Sequence, residues 1–242
     1  MIFKDKVVIV TGAGRGIGQA IAVKYARSGA LVVVVDRQLD RAKETMKMIS
    51  KMGERAIEVV SDITVYEEVQ KMLAVTLNEF GGVDILVNNA GWDVVQPFFE
   101  NTKELWDNLI AVNLKGCIYC CRVVGEEMIK NKKGKIVNIS SDAGRIGSSE
   151  EAVYAAAKGG IIAFTKSLAV ILAPYQINVN SISPGPTDTP AVRTGMRMNE
   201  KVAIEMERRR DMTPFKRYAK AEEIADAVLF LSSESANFIT GQ

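Results

Sequence analysis

No histidine occurs anywhere in the 242 residues. That absence excludes Ser-His-Asp and Cys-His nucleophilic catalysis and the histidine-containing zinc motifs. Any proton chemistry therefore falls to Tyr, Lys, Asp or Glu. Cysteine is scarce: Cys117, Cys120 and Cys121 crowd into one apolar helical segment, with no fourth cysteine or histidine to complete a tetrahedral metal site. They read as packed, reduced thiols. An excess of one charge is also missing, since 31 Lys and Arg face 29 Asp and Glu for a net charge of +2. Nothing in that balance calls for nucleic acid or an anionic membrane as partner. No apolar run approaches the ~18 residues of a membrane span. The first residues lead straight into a strand and a glycine loop rather than a cleavable signal, and no linker, low-complexity tract or internal repeat is visible. These absences lead to the expectation of a single cytoplasmic domain over residues 1–242.

What is present is alternation. Lys6–Val10 is a short, continuous run of β-branched residues, the mark of a strand covered on both faces. A glycine loop and a helix over Gln19–Arg27 follow, and a second strand, Leu31–Val35, stops at Asp36. Helices are then expected over Asp40–Met52, Tyr66–Phe80, Thr102–Lys130, Glu151–Ala173 and Ala221–Ser232. Strands are expected over Ala56–Val60, Val83–Val87, Lys135–Ser140 and Ile177–Ile182. Repeated strand and helix with short connections predicts an α/β fold: a Rossmann-like, doubly wound parallel sheet flanked by helices. The stretch from Pro184 to Met212, with its three prolines and Arg208-Arg209-Arg210, breaks the rhythm and reads as an irregular insertion of the kind used for lids or binding segments.

Between the first strand and helix, Gly12, Gly16 and Gly18 permit a tight turn and close approach of a pyrophosphate, whose charge meets the free N–H groups of the helix start. The position after a strand and before a helix, with an acid ending the next strand, gives the pattern its weight. Asp36 can accept hydrogen bonds from both hydroxyls of an adenosine ribose, whereas a 2′-phosphate there would set like charges together. NAD is favoured over NADP on that ground, although Arg15 and Arg37 can each pair with a 2′-phosphate. Asp62 and Ile63, after the third strand, offer a carboxylate and an apolar wall for adenine; Asp62 serves equally well as an N-cap for the following helix.

Tyr154 and Lys158 stand four apart in an Ala-rich helical segment, so both project from one face. A phenol with an ordinary pKa of about 10 is a poor base at neutral pH, but a fixed ammonium beside it favours the phenolate. The pair is thus expected to act as an acid/base device with a lowered tyrosine pKa. Ser141, at the end of an apolar run thirteen residues earlier, can return from a strand end to hold a substrate oxygen near the phenol.

In order along the chain, Thr11-to-Gly18, Asp62, Asn88-Asn-Ala-Gly91, Asn113, Ser141, Tyr154, Lys158 and Pro184-Gly185 resemble the short-chain dehydrogenase/reductase family over essentially the whole length. The resemblance implies a nicotinamide cofactor, with Tyr154 as general base for alcohol oxidation, Lys158 on the nicotinamide ribose, and Ser141 orienting the reacting oxygen. It gives Asn113 a water that relays the proton outward. Ile17 within the loop, Asn89, Ala90 and Gly91, Pro184 and Gly185, and Thr187 and Thr189 are implied as cofactor contacts, while Asn88 is mainly structural. The resemblance further implies a homotetramer or homodimer. The family normally continues past Ile239–Gln242 into a last strand, and the sequence stops there; either it is truncated or the strand is missing, which leaves the sheet edge and a tetramer contact open.

Trp92-Asp93, Ser148–Tyr154 and Pro184–Thr189 look like a branch acting on 2-hydroxycyclohexanecarbonyl-CoA and related β-hydroxyacyl-CoA thioesters. The expected small-molecule substrate is therefore a CoA thioester, with Arg208, Arg209 and Arg210 as cations for its phosphates; the bland alternative is that they form a solvated face. A 3-oxoacyl-carrier-protein reductase and a sugar or polyol dehydrogenase are the rival activities. A non-catalytic nucleotide sensor is the rival of a different class.

Overall fold

The computed structural model describes residues 2–242. Six parallel strands form one sheet: β1 (Val7–Thr11), β2 (Leu31–Asp36), β3 (Ala56–Val60), β4 (Ile85–Asn88), β5 (Gly134–Ile139) and β6 (Ile177–Ile182), in the spatial order β3-β2-β1-β4-β5-β6. The valine runs explain the sheet. Successive side chains alternate across it, so Val8, Val10, Val32 and Val34 enter one core layer while Ile9, Val33 and Val35 enter the other. The first layer is closed by α1 (Gly16–Arg27), α2 (Leu39–Ser50) and α10 (Ala221–Ser232), and the second by α3 (Tyr66–Phe80), α5 (Gly116–Asn131) and α7 (Ala152–Leu172). This is the doubly wound α/β architecture expected from the alternation.

Two helices show a local reason for one of their limits. α3 stops at Gly81, whose φ of 76° supplies a left-handed cap. The short helix α4 (Lys103–Ile110) begins where the Thr102 hydroxyl accepts the Leu105 N–H at 3.2 Å. The three cysteines face the second core layer from α5; burial pushes the Cys120 thiol well above the ordinary range, and contact with Cys117, then burial, does the same to Cys121. Asn88 ties β4 to β5 through a 2.9 Å bond to the Asn138 side chain, which in turn donates to Thr165 on α7 at 2.9 Å. This buried amide chain holds α7 in place on the sheet.

The structure departs from the sequence expectations at three places. The helix expected over Thr102–Lys130 is two helices, α4 and α5, joined by a π-helical turn over Ala111–Lys115. The Pro184–Met212 stretch is not irregular: a short strand β7 (Thr187–Asp188) leads into α8 (Pro190–Met198) and α9 (Glu200–Met212). Pro190 sits at the first position of α8, where its missing N–H costs nothing. Strand β7 pairs with β8 (Ala219–Lys220), which pins the segment back onto the domain. Lastly, residues 239–242 lie along the outer side of β6, with the Gly241 N–H donating to Val179 at 2.8 Å and the Ser181 N–H to Gln242 at 2.6 Å. The edge that the resemblance left open is thus lined by that segment.

Candidate active site

A cleft of about 420 Å³ opens at the carboxyl ends of the strands, where β1 is flanked by β2 on one side and β4 on the other. This is the switch point at which open α/β sheets bind ligands. The glycine loop floors it. Gly12 has a φ of 61°, and a Cβ there would lie 2.7 Å from the Ala90 Cα. Gly18 does not line the cleft; it packs behind the loop, where a Cβ would run into the Gly12 carbonyl and the Asn89 side chain. The loop is stitched to the end of β4. Asn89 Nδ2 donates to the carbonyls of Thr11 and Gly12 at 3.0 and 3.1 Å, and Thr11 Oγ1 accepts the N–H groups of Asn89 and Ala90. Asn89 therefore shapes the cradle more than it offers a contact of its own.

Arg15, Gly16, Ile17, Asp36, Arg37, Asp62 and Ile63 all reach the cleft, as the sequence led us to expect. The Asp36 carboxylate is fixed before any ligand arrives: Oδ2 accepts the Gly14 N–H at 3.1 Å and Oδ1 the Gln38 N–H at 2.9 Å. A carboxylate has roughly four acceptor positions, so two remain for ribose hydroxyls. Arg41 on α2 joins Arg15 and Arg37 at this end. Sequence reasoning missed it because only the close approach of α2 to Gly14 brings it there. Burial, and then the charge of Arg41, lowers the pKa of Arg15. Asp62 does not cap α3. Its Oδ1 accepts from the Thr64 N–H and hydroxyl at 2.9 and 2.7 Å, closing a turn before the helix, whose N-cap is Val65.

At the other end, Ser141, Tyr154 and Lys158 converge on the same cleft from the end of β5 and the first turns of α7. Lys158 is 4% exposed, donates from Nζ to the Ile139 carbonyl at 2.9 Å, and lies 5.6 Å from the centre of the Tyr154 ring. Ser141 Oγ donates to Asp142 Oδ1 at 3.2 Å and accepts the Ala143 N–H at 3.2 Å, on the cleft wall shared with Tyr154. The expected lowering of the tyrosine pKa is reversed in this state. Burial first, and then the charge of Asp93, pushes the phenol up, and the Ser141 hydroxyl only partly offsets them. The ammonium cannot prevail because it is buried too, and burial pushes Lys158 itself down to about 8. Asn113 is buried behind the wall, on the π-helical turn. Its side chain donates to the carbonyls of Trp92 and Leu109 at 2.8 and 3.0 Å and accepts the Trp92 N–H. The amide nitrogen is thus committed to the protein, and Oδ1 keeps one acceptor position. Gly91, Pro184, Gly185, Thr187 and Thr189 line the cleft; Thr189 also caps α8.

A third group was not legible in the sequence as a unit. Glu151, 7% exposed, meets Arg209 of α9, whose Nη1 lies 2.9 and 2.8 Å from the two carboxylate oxygens. The same guanidinium reaches Ser148 at 2.8 Å and Glu205 at 2.9 Å. Asp93 completes the cluster on the same cleft wall: its Oδ1 and Glu151 Oε2 are both buried with no hydrogen-bond partner. Of the arginines expected to meet phosphates, then, Arg209 is turned inward and neutralised. Arg208 is exposed and Arg210 half-buried, in ion pairs with Glu205 and Asp211 respectively.

The family described as enoyl-(acyl carrier protein) reductase matches residues 12–242. The chain is a short-chain dehydrogenase/reductase. It is 38% identical over 242 residues to the 3-oxoacyl-acyl-carrier-protein reductase FabG of Aquifex aeolicus, covering 99% of this chain and 94% of that one. It is also 33% identical over 242 residues to the hydroxy(phenyl)methylsuccinyl-CoA dehydrogenase subunit BbsD of Thauera aromatica, covering 100% and 95%. Among solved structures, NAD+-bound xylitol dehydrogenase superposes with a TM-score of 0.93 at 30% identity, covering 100% of this chain and 97% of that one. This short-chain dehydrogenase/reductase is thus an oxidoreductase of the CH–OH/ketone class that uses NAD or NADP. The cradle that admits no Cβ at Gly12 or Gly18 fits a dinucleotide pyrophosphate.

Proposed function

We propose that this enzyme oxidises a secondary alcohol with NAD, using Tyr154 as general base, Lys158 as its fixed cation and Ser141 to orient the alcohol oxygen. The single observation that carries the reading is the convergence of those three side chains on the cleft whose opposite end is set by the Asp36 carboxylate. Nicotinamide, when bound, accepts the hydride or returns it, and its positive ring adds to the charge favouring a phenolate. Ser141 holds the substrate hydroxyl toward Tyr154, which takes the proton from that oxygen; in reduction Tyr154 gives it back. Lys158 supplies the charge that offsets the desolvation of the phenolate.

Asp36 supports NAD over NADP. Asp36→Ala removes charged hydrogen bonds worth ~1.5–3 kcal/mol each and leaves Arg15, Arg37 and Arg41 unopposed. The ratio of kcat/KM for NAD to that for NADP should fall by roughly tenfold or more, read from initial rates with each dinucleotide. An unchanged ratio would assign the choice to the arginines alone.

For the substrate, we propose a β-hydroxyacyl-CoA thioester such as 2-hydroxycyclohexanecarbonyl-CoA. The loops around Trp92, Ser148–Tyr154 and Pro184–Thr189 support it, as does the likeness to a relative named for an acyl-CoA substrate. Surface ion pairs are worth ~0–1 kcal/mol, so Arg208 and Arg210 can exchange their present partners for phosphates at little cost. Replacing both with glutamine should raise KM for the thioester several-fold and leave KM for a small alcohol unchanged. Equal effects on the two would return these arginines to a solvated face. A polyol is the second reading, favoured by the Asp93 and Glu151 carboxyl groups beside Tyr154, which suit hydroxyl donors. NADH appearance across a panel of hydroxyacyl-CoAs and sugar alcohols separates the two. Exposed Val170 and Ile171 leave an apolar face on α7, which supports the proposed homo-oligomer.

A further inference from the structure

Arg209 pairs with Glu151 and Glu205, Arg208 reaches only Glu205, and Asp93 lines the same cleft wall as Glu151 and Arg209. Glu205 is satisfied by two guanidinium groups. Glu151 has a share of one, and Asp93 has none, with one carboxyl oxygen buried and unpartnered. Two buried carboxyl groups on one cleft wall, each with an oxygen that meets no donor, do not ionise independently, because the second charge is taken up against the first. A proton held between them, donated by one carboxyl and accepted by the other, would give both oxygens a partner.

We propose that Asp93 and Glu151 hold one proton in common and that the charge of this pair governs the ionisation of Tyr154, so that Asp93 is a positioning residue for the proton transfer. The inference rests on the reading of Tyr154 as the general base. The groups facing Asp93 are Glu151 at the start of α7, Arg209 on α9, and Tyr154 and Lys158 on α7. Tyr154 additionally faces Ser141 and Asp142 at the end of β5. Of these, Asp93 is the charge that acts most strongly on the phenol, after burial itself.

Below the pair's second ionisation it carries one negative charge, balanced by Arg209. Above it a second charge appears beside the phenol and opposes phenolate formation. Burial and the contact with Glu151 place that step at about 8 for Asp93, within the working range. The pair therefore retards the alkaline rise of alcohol oxidation, and α9 has a hand in the setting through Arg209.

Two readouts test this. In Asp93→Asn, the rising limb of kcat/KM for oxidation should move to lower pH by about half a unit to one unit, a gain of roughly three- to tenfold at fixed pH on the limb. A purely structural role would instead lower the rate at every pH without moving the limb. The second readout needs neither cofactor nor turnover: unfolding stability of the free chain from pH 5 to pH 8. The folded pair retains a proton that the unfolded carboxyls have released, so the wild type loses stability as pH rises through that window. Asp93→Asn and Glu151→Gln should each flatten that loss. If both variants keep the wild-type pH slope of stability, or if the limb stays in place or moves upward in Asp93→Asn, the shared proton and its action on Tyr154 are refuted. Should no alcohol be oxidised by any form while the stability slopes flatten as described, the pair would stand and the assignment of the reaction would fall.

Discussion

Tyr154→Phe should lower kcat for alcohol oxidation by about 100- to 10,000-fold, the range carried by a positioned general base. Dinucleotide affinity should stay within a few-fold, because the ring remains and only the hydroxyl is lost. That hydroxyl faces the cleft and makes no hydrogen bond within the fold, so the fold should persist with it removed. Steady-state rates together with fluorescence titration of NADH separate the two quantities. Turnover within tenfold of wild type would take proton transfer away from this residue.

Lys158→Met should cut turnover by a comparable factor and weaken dinucleotide binding, yet leave the fold as stable at pH 7 or more so. Burial lowers the lysine pKa in the folded chain to about 8, against about 10.4 in an unfolded one. Between those values the folded state binds fewer protons than the unfolded state, so stability rises with pH from 8 to about 10.4. Below 8 the full penalty of a buried ammonium is present, on the order of 3 kcal/mol. Methionine removes that penalty but leaves the Ile139 carbonyl without its donor, a loss of about 1–3 kcal/mol. A variant that is inactive and no less stable, by denaturant titration at pH 7, marks a residue kept for chemistry. A large loss of stability would instead make Lys158 a structural strut.

The parts of this site legible in the sequence are those whose chemistry is local. The Thr11–Gly18 loop and Asp36 follow directly on strands that their own valines specify, and Tyr154 and Lys158 share a helix face. Their placement followed from spacing alone. The ionisation of Tyr154 did not, because it depends on how deeply both members of the pair are buried and on Asp93, which lies 61 residues earlier in the chain. Arg209 misled for a similar reason. In sequence it is one of three equivalent cations, and only the crossing of α9 over the start of α7 turns it toward Glu151 while its neighbours face solvent. The prolines of the 184–212 stretch read as disorder of rhythm, whereas Pro190 begins a helix.

The bulge at Ala111–Lys115 has an implication for how this scaffold tolerates change in length. A π-helical turn amounts to one extra residue threaded into an α-helix, and such turns recur at functional sites. Deleting a single residue there would repair ordinary helical bonding and fuse α4 with α5. The same deletion would rotate everything upstream by about 100° relative to α5. Leu109 would leave the core, and the Asn113 amide would swing off the Trp92 backbone that it now clamps from both sides. The irregularity is thus a phase adjuster: it lets one half of a long helix answer to the sheet and the other half to the reaction cleft.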